Sequence, residues 1–232
     1  MGRAASWILL AFSLAGFALS APGVGVAFAK TDKPAEEKKG KGAKKPKTKA
    51  CPSDMVSVWG GFCIDRYEAY VIEMLKGGKV RKHSPYMPPA KDKKYRAANQ
   101  SGRMPQAHIS REQAALACKN AGKRLCTDEE WITACKGKKP TTWPYGDEQK
   151  VGRCNDNGIS SFQALFGPDG GGPPPQSAYT WENLNDPRLN QAKNTCAPSG
   201  RHKKCKNSFK VYDMVGNLHE WTADPGGTFR GG

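Results

Sequence analysis

The stretch from residue 140 to 210 does most to limit what this chain can fold into. It carries Gly170-Gly171-Gly172 followed by Pro173-Pro174-Pro175, with many Asn and Asp, and no helical or strand period is sustained through it. So long a run inside one domain needs outside support, and disulfides or bound ions are the usual suppliers. The whole chain follows suit, with 26 Gly and 17 Pro among 232 residues, which excludes a long-helix bundle or coiled coil. Hydrophobic residues make up 38%, too many for full disorder and too few for a multispanning membrane protein. Eight cysteines are many for a cytosolic protein of this size.

The first 50 residues divide in two. Residues 4–29 contain no charge, and Arg3 with the amino terminus forms a short positive start. Trp7 to Leu19 is apolar, and Ala27-Phe28-Ala29 fits the small-x-small cleavage rule, so residues 1–29 read as a signal peptide; a second cut is available after Ser20. A retained anchor is the alternative, since the run is long enough to cross a bilayer. Pro22-Gly23 interrupts it, however, and the lysine-rich flank that follows prefers the cytoplasmic side. The expected product is exported (periplasmic or secreted), starts near Lys30 and keeps no stable membrane span.

Residues 30–50 hold nine lysines against Asp32, Glu36 and Glu37, with almost no apolar residue larger than Ala. Such a segment cannot offset its ordering entropy and reads as a disordered Lys-rich tether. The formal net charge of +16 favours polyanions. The tether has no aromatics and the domain has no recognition motif, so no specific nucleic-acid partner is expected. A solubilising spacer that can contact anionic envelope material fits better.

One domain is expected over residues 51–232. Met55, Val56 and Val58, then Phe62, Ile64 and Tyr67, alternate around Gly60-Gly61 as in a hairpin. Residues 76–108 are basic and weakly patterned and read as an irregular surface segment. Ser110 with Gln113, and Thr127 with Glu130, are two capping boxes. They predict helices over Arg111–Ala121 and from Asp128 to Gly137, the second with Trp131, Ile132, Ala134 and Cys135 facing inward.

Several of these segments also carry a resemblance. CKNAGKRLCTDEEWITACKG (from Cys118), Trp143-Pro144-Tyr145-Gly146, Cys154-Asn155, VYDMVGNLHEWTAD (from Val211) and the terminal GGTFRGG resemble, in order, motifs of the formylglycine-generating enzyme or sulfatase-modifying factor family. The resemblance runs from about residue 51 to the end. It implies an α+β, irregular C-type-lectin-like domain with two short helices, small antiparallel sheets and long loops.

The resemblance also bears on chemistry. The family oxidises a sulfatase cysteine to formylglycine with copper held by two cysteines. Matching its glycine-rich element to Gly226-Gly227-Thr228-Phe229 puts Gly231 at the first copper position and the second beyond Gly232. Copper is therefore not expected in this chain, and no catalytic residue is assigned. The iron-binding histidine pattern of related sulfoxide synthases is absent, and His83, His108, His202 and His219 show no metal-ligand spacing. Calcium is expected instead. The similar family site implies the side chains of Asp213 and Glu220 with the carbonyls of Gly216 and Leu218, a mixed oxygen shell suited to Ca²⁺. Asp213 and Glu220 serving only as local caps is the alternative. A second site is expected to begin at Asn155 and Asp156, where an Asx turn would read the same way. Cys51–Cys63, closing the hairpin, and Cys196–Cys205, closing a short basic loop, are the expected disulfides. The family also implies partners for Cys118 and Cys135 in a C-terminal segment not seen here.

The reading that follows is a noncatalytic binding or structural protein with a protein or glycan ligand. The alternatives are a copper-dependent oxidoreductase, if the chain is a fragment, and a lectin-like sugar binder using Trp143, Tyr145, Trp181 or Trp221.

Overall fold

The computed structural model describes residues 50–158, 160–169 and 172–232. The signal peptide, and the tether up to Lys49, lie outside the described residues. The first strands are the expected hairpin: β1 (Met55–Val58) pairs antiparallel with β2 (Phe62–Asp65), Met55 opposite Asp65. Cys51–Cys63 ties its base. Val56, Val58 and Ile64 face inward from it.

Residues 76–108 are more ordered than their pattern suggests. They supply two of three strands in an antiparallel sheet: β3 (Ala69–Met74) lies between β4 (Val80–Lys82) and β5 (Lys94–Asn99). The outer strands are rich in Lys and Arg, which suppresses an apolar strand signal while discouraging edge-to-edge pairing.

Both capping boxes are made. Ser110 Oγ accepts from the Gln113 amide at 3.2 Å and Gln113 Oε1 from the Ser110 amide at 3.0 Å, opening α1 (Arg111–Asn120). Thr127 and Glu130 repeat the exchange at α2 (Asp128–Lys136), where three acidic residues meet the positive end of the dipole. Gly137 ends α2 at φ +75°, a conformation few side chains adopt.

Two cores result. Trp131 and Ala134 of α2 pack with Val56, Val58, Ile64, Phe209, Val211 and Met214. Val71, Tyr95 and Ala97 pack under Ala117 of α1. Fully burying one such valine contributes about 2 kcal/mol.

Among its described residues the long connection holds α3 (Ser161–Phe166), α4 (Trp181–Leu184) and two 3₁₀ turns, so the described residues hold four short helices rather than two. Strands β6 (His219–Trp221) and β7 (Phe229–Gly231) close the chain as an antiparallel pair. The architecture is α+β, with small antiparallel sheets and long loops.

The second disulfide corrects the sequence reading. Cys205 bonds Cys154, not Cys196. Cys196 and Cys205 are close in sequence, but local turns organise the segment between them, Arg201 donating to Pro198 and Cys205 to His202. That leaves the Cys205 side chain fully buried against Cys154, while Cys196 stays a free, half-buried thiol.

Candidate metal centre

The Cys154–Cys205 bridge anchors a junction of three loops. Asn155 follows the bridge and pairs with Gly216 in an isolated parallel bridge, its carbonyl accepting from the Asn217 amide at 3.1 Å. Gly216 must be glycine here, because a Cβ would collide with the Asn155 carbonyl. The Asp213 amide donates to the Cys205 carbonyl at 3.1 Å, so both loops hang from the same disulfide.

Asn217 is the hub. Its amide nitrogen donates to Glu68 Oε2 at 2.6 Å and to the Ala197 carbonyl at 3.0 Å. Its side-chain oxygen accepts from the Ala197 amide at 2.7 Å and from Asn155 Nδ2 at 2.9 Å. All four bonding positions of the carboxamide are thereby used.

Around this hub sit three acidic residues. Glu68 is 5% exposed and also accepts from Ser199 Oγ at 3.1 Å and the Leu218 amide at 3.2 Å. Asp213 is buried and accepts from the Gly200 amide at 2.6 Å. Glu220, on β6, accepts from the Trp131 indole at 2.5 Å. Burial pushes all three carboxyls up. For Glu68 the charges of Glu220 and Asp213 add to burial and raise it well above the carboxylate range. For Glu220 burial, with Asp213 and Asp65 behind it, raises the group to about 7. Among the described residues no Lys or Arg forms an ion pair with any of them, and Asp213, raised by burial, is drawn back only by the Gly200 amide and, more weakly, by the His202 charge.

Asp156, beside Asn155, differs again: both its carboxylate oxygens are buried with no hydrogen-bond partner. A buried acceptor left without a donor costs about 1–3 kcal/mol, more for a charge, and a bound cation removes that cost. The residues named for calcium thus gather at one junction. Asp213, Gly216, Leu218 and Glu220 lie on one loop running into β6, and Asn155 is bonded to it. Among the described residues, no three His, Cys, Asp or Glu side chains converge closely enough to hold a metal by themselves. Any cation shell here therefore needs carbonyl or water oxygens, which Ca²⁺ accepts.

Glu68 was missed in sequence. It stands one residue before β3, and its partners Ser199, Asn217 and Leu218 lie more than a hundred residues away. The sole signal was a charge immediately before the mostly apolar run of residues 69–72.

Glu68 and Glu220 also border a cavity of about 760 Å³, with Trp131, Trp221, Cys118 and Cys126 among its walls. Burial raises its thiols, Cys118 to about 11 and Cys126 to about 12. Cys135 and Cys196 are raised by burial to about 11 and about 12.

Fold and site together define a loop-built α+β domain with a buried acidic centre, stapled by a disulfide. The family comparison gives this class its name. Residues 35–229 match the sulfatase-modifying factor enzyme 1-like domain, and the chain belongs to that family. It is 26% identical over 118 residues to the formylglycine-generating enzyme of Mycobacterium tuberculosis, and 30% identical over 120 residues to the inactive C-alpha-formylglycine-generating enzyme 2 of Bos taurus. Each match covers 51% of this chain and 32% of the relative, so the aligned part spans about a third of either relative's length.

Proposed function

We propose that this chain is an exported, noncatalytic binding or structural member of the sulfatase-modifying-factor family, with a C-type-lectin-like fold whose loops are held by calcium. The observation that carries the noncatalytic reading is Gly231, which stands at the family's first copper position. Copper ligation needs a thiolate pair, because soft ligands select Cu(I). All four free cysteines are half-buried, and burial disfavours their thiolate forms. Gly231, matched to the first copper position, has no ligand to offer. The bovine relative, inactive by name, is compatible with this reading.

Calcium is supported by the orphaned Asp156 oxygens and by three acidic side chains with no cationic side chain bonded to them. Glu220, Asp213 and the carbonyls of Gly216 and Leu218 would hold one ion, and Asp156 with Asn155 a second. The ion would supply counter-charge and fix the loops. Export is supported by two disulfides and by the apolar amino-terminal run. No described helix is long and apolar enough to cross a membrane.

The mycobacterial relative supports the second reading, a copper-dependent oxidoreductase acting on a protein cysteine. The two separate in one assay. A cysteine-containing sulfatase-type peptide is incubated with copper-loaded protein and followed by mass spectrometry. The peptide thiol should remain. Its replacement by an aldehyde would overturn the noncatalytic assignment.

A further inference from the structure

The sheet of β3, β4 and β5 has two unlike faces. One packs against α1 through Val71, Tyr95 and Ala97. The acid of the sheet, Glu73, lies on that same side, buried and held by Arg81 through two hydrogen bonds of 2.9 and 2.7 Å. The other face is set by the register. Lys82, Ile72 and Arg96 form one row across the three strands, and Val80, Met74 and Lys94 form the next. No acidic side chain stands in either row, and among the described residues the side chains of Lys82, Lys94 and Arg96 carry no ion pair or hydrogen bond. With strands about 4.8 Å apart, Lys82 and Arg96 are about 10 Å apart, and Lys94 is about 7 Å from Arg96.

The β3–β4 turn sits at the edge of this face. It carries Lys76 and Lys79 around Gly77-Gly78, and its flanks expose apolar side chains: Met74 and Leu75 are 39% exposed and Val80 is 50% exposed. Cations ringing an apolar tip match an anionic lipid surface, whose headgroups meet the lysines while the tip enters the acyl boundary. A single-stranded nucleic acid would instead call for a row of aromatic platforms. The one aromatic ring on this face, Tyr70, is occupied by Arg103 at 5.8 Å.

From this we infer that the open face of the β3–β4–β5 sheet, led by the Leu75–Lys79 turn, docks the domain on anionic lipid bilayers. The contact is peripheral and reversible, and depends on neither the metal centre nor the family's chemistry.

The lysine-rich amino-terminal segment will also respond to anionic vesicles, so the readout must be local. Hydrogen–deuterium exchange of the full chain is measured with phosphatidylcholine vesicles and with vesicles containing phosphatidylglycerol. Residues 74–82 and 94–96 should gain protection with the anionic vesicles alone. Each lysine removed should weaken that contact about fivefold, so Lys82→Glu with Lys94→Glu should abolish the protection. Leu75→Ser with Val80→Ser should weaken it in a way that added salt does not mimic. Melting curves confirm that these surface variants fold, and the unsubstituted chain decides the question alone if they do not. Absence of protection in residues 74–82 overturns the inference. So does equal protection by heparin or duplex DNA combined with unchanged vesicle binding of Leu75→Ser/Val80→Ser, which would make the face a soluble-polyanion site.

Discussion

Breaking Cys154–Cys205 should be the most costly covalent change available to this fold. The bridge closes a loop of 51 residues, against 12 for Cys51–Cys63. Loop-closure entropy then assigns the long bridge about 4 kcal/mol and the short one about 3 kcal/mol. A Cys196–Cys205 bridge would close only a nine-residue step and contribute about 2.6 kcal/mol. Urea unfolding of Cys154→Ser, Cys205→Ser and the double variant should give nearly equal losses, each close to the larger figure. The slope with denaturant should rise, because the uncrosslinked unfolded chain exposes more surface. Cys196→Ser should fall well below them. Peptide mapping without reduction should recover Cys154 linked to Cys205. A linked peptide containing Cys196, or a Cys196→Ser variant as unstable as Cys154→Ser, would refute the pairing and with it the description of the loop junction.

Two further outcomes follow from the same geometry. In EDTA, stability should fall as pH rises from about 4.5 toward 7: burial holds Glu220 near 7 in the folded chain against 4.5 ordinarily, so the folded state binds the extra proton across that window and loses it at the top. The loss from this group is on the order of 3 kcal/mol, and adding calcium should flatten the slope; thermal melts across pH with and without calcium check both. Gly137→Ala should destabilise by about 1–3 kcal/mol, because the residue sits at φ +75° and a Cβ would lie 2.6 Å from Ser208 Oγ; chemical denaturation measures it.

The parts of this fold that were legible in sequence are those written in local chemistry. Ser110 and Gln113, then Thr127 and Glu130, announce their helices because a cap is a contact between residues three apart. The β1–β2 hairpin was legible because both strands and their turn lie within a dozen residues. The β3–β4–β5 sheet was not, because its outer strands carry lysines and arginines where a pattern reader looks for apolar alternation. Cys154 could not be matched to Cys205 for a related reason: the pairing is decided by the junction of Asn155, Gly216 and Asp213, not by spacing. At the candidate centre, Asp213 and Glu220 were visible because they stand in one continuous motif. Glu68 was hidden because its burial depends on Asn217 and Ser199, far along the chain.

Calcium stoichiometry tests the central claim most directly. The protein is purified without chelator, dialysed against buffer containing trace calcium and no other divalent metal, and analysed by elemental mass spectrometry alongside calorimetric titration. A native-state ligand at a hundredfold excess over Kd adds about 2.7 kcal/mol to stability. The account predicts bound calcium, a melting temperature that falls on adding EDTA, and loss of one ion in Asp213→Ala and of another in Asp156→Ala. A protein that binds no calcium and melts identically with and without EDTA would contradict it, leaving the acidic residues at this junction to be held by protons alone.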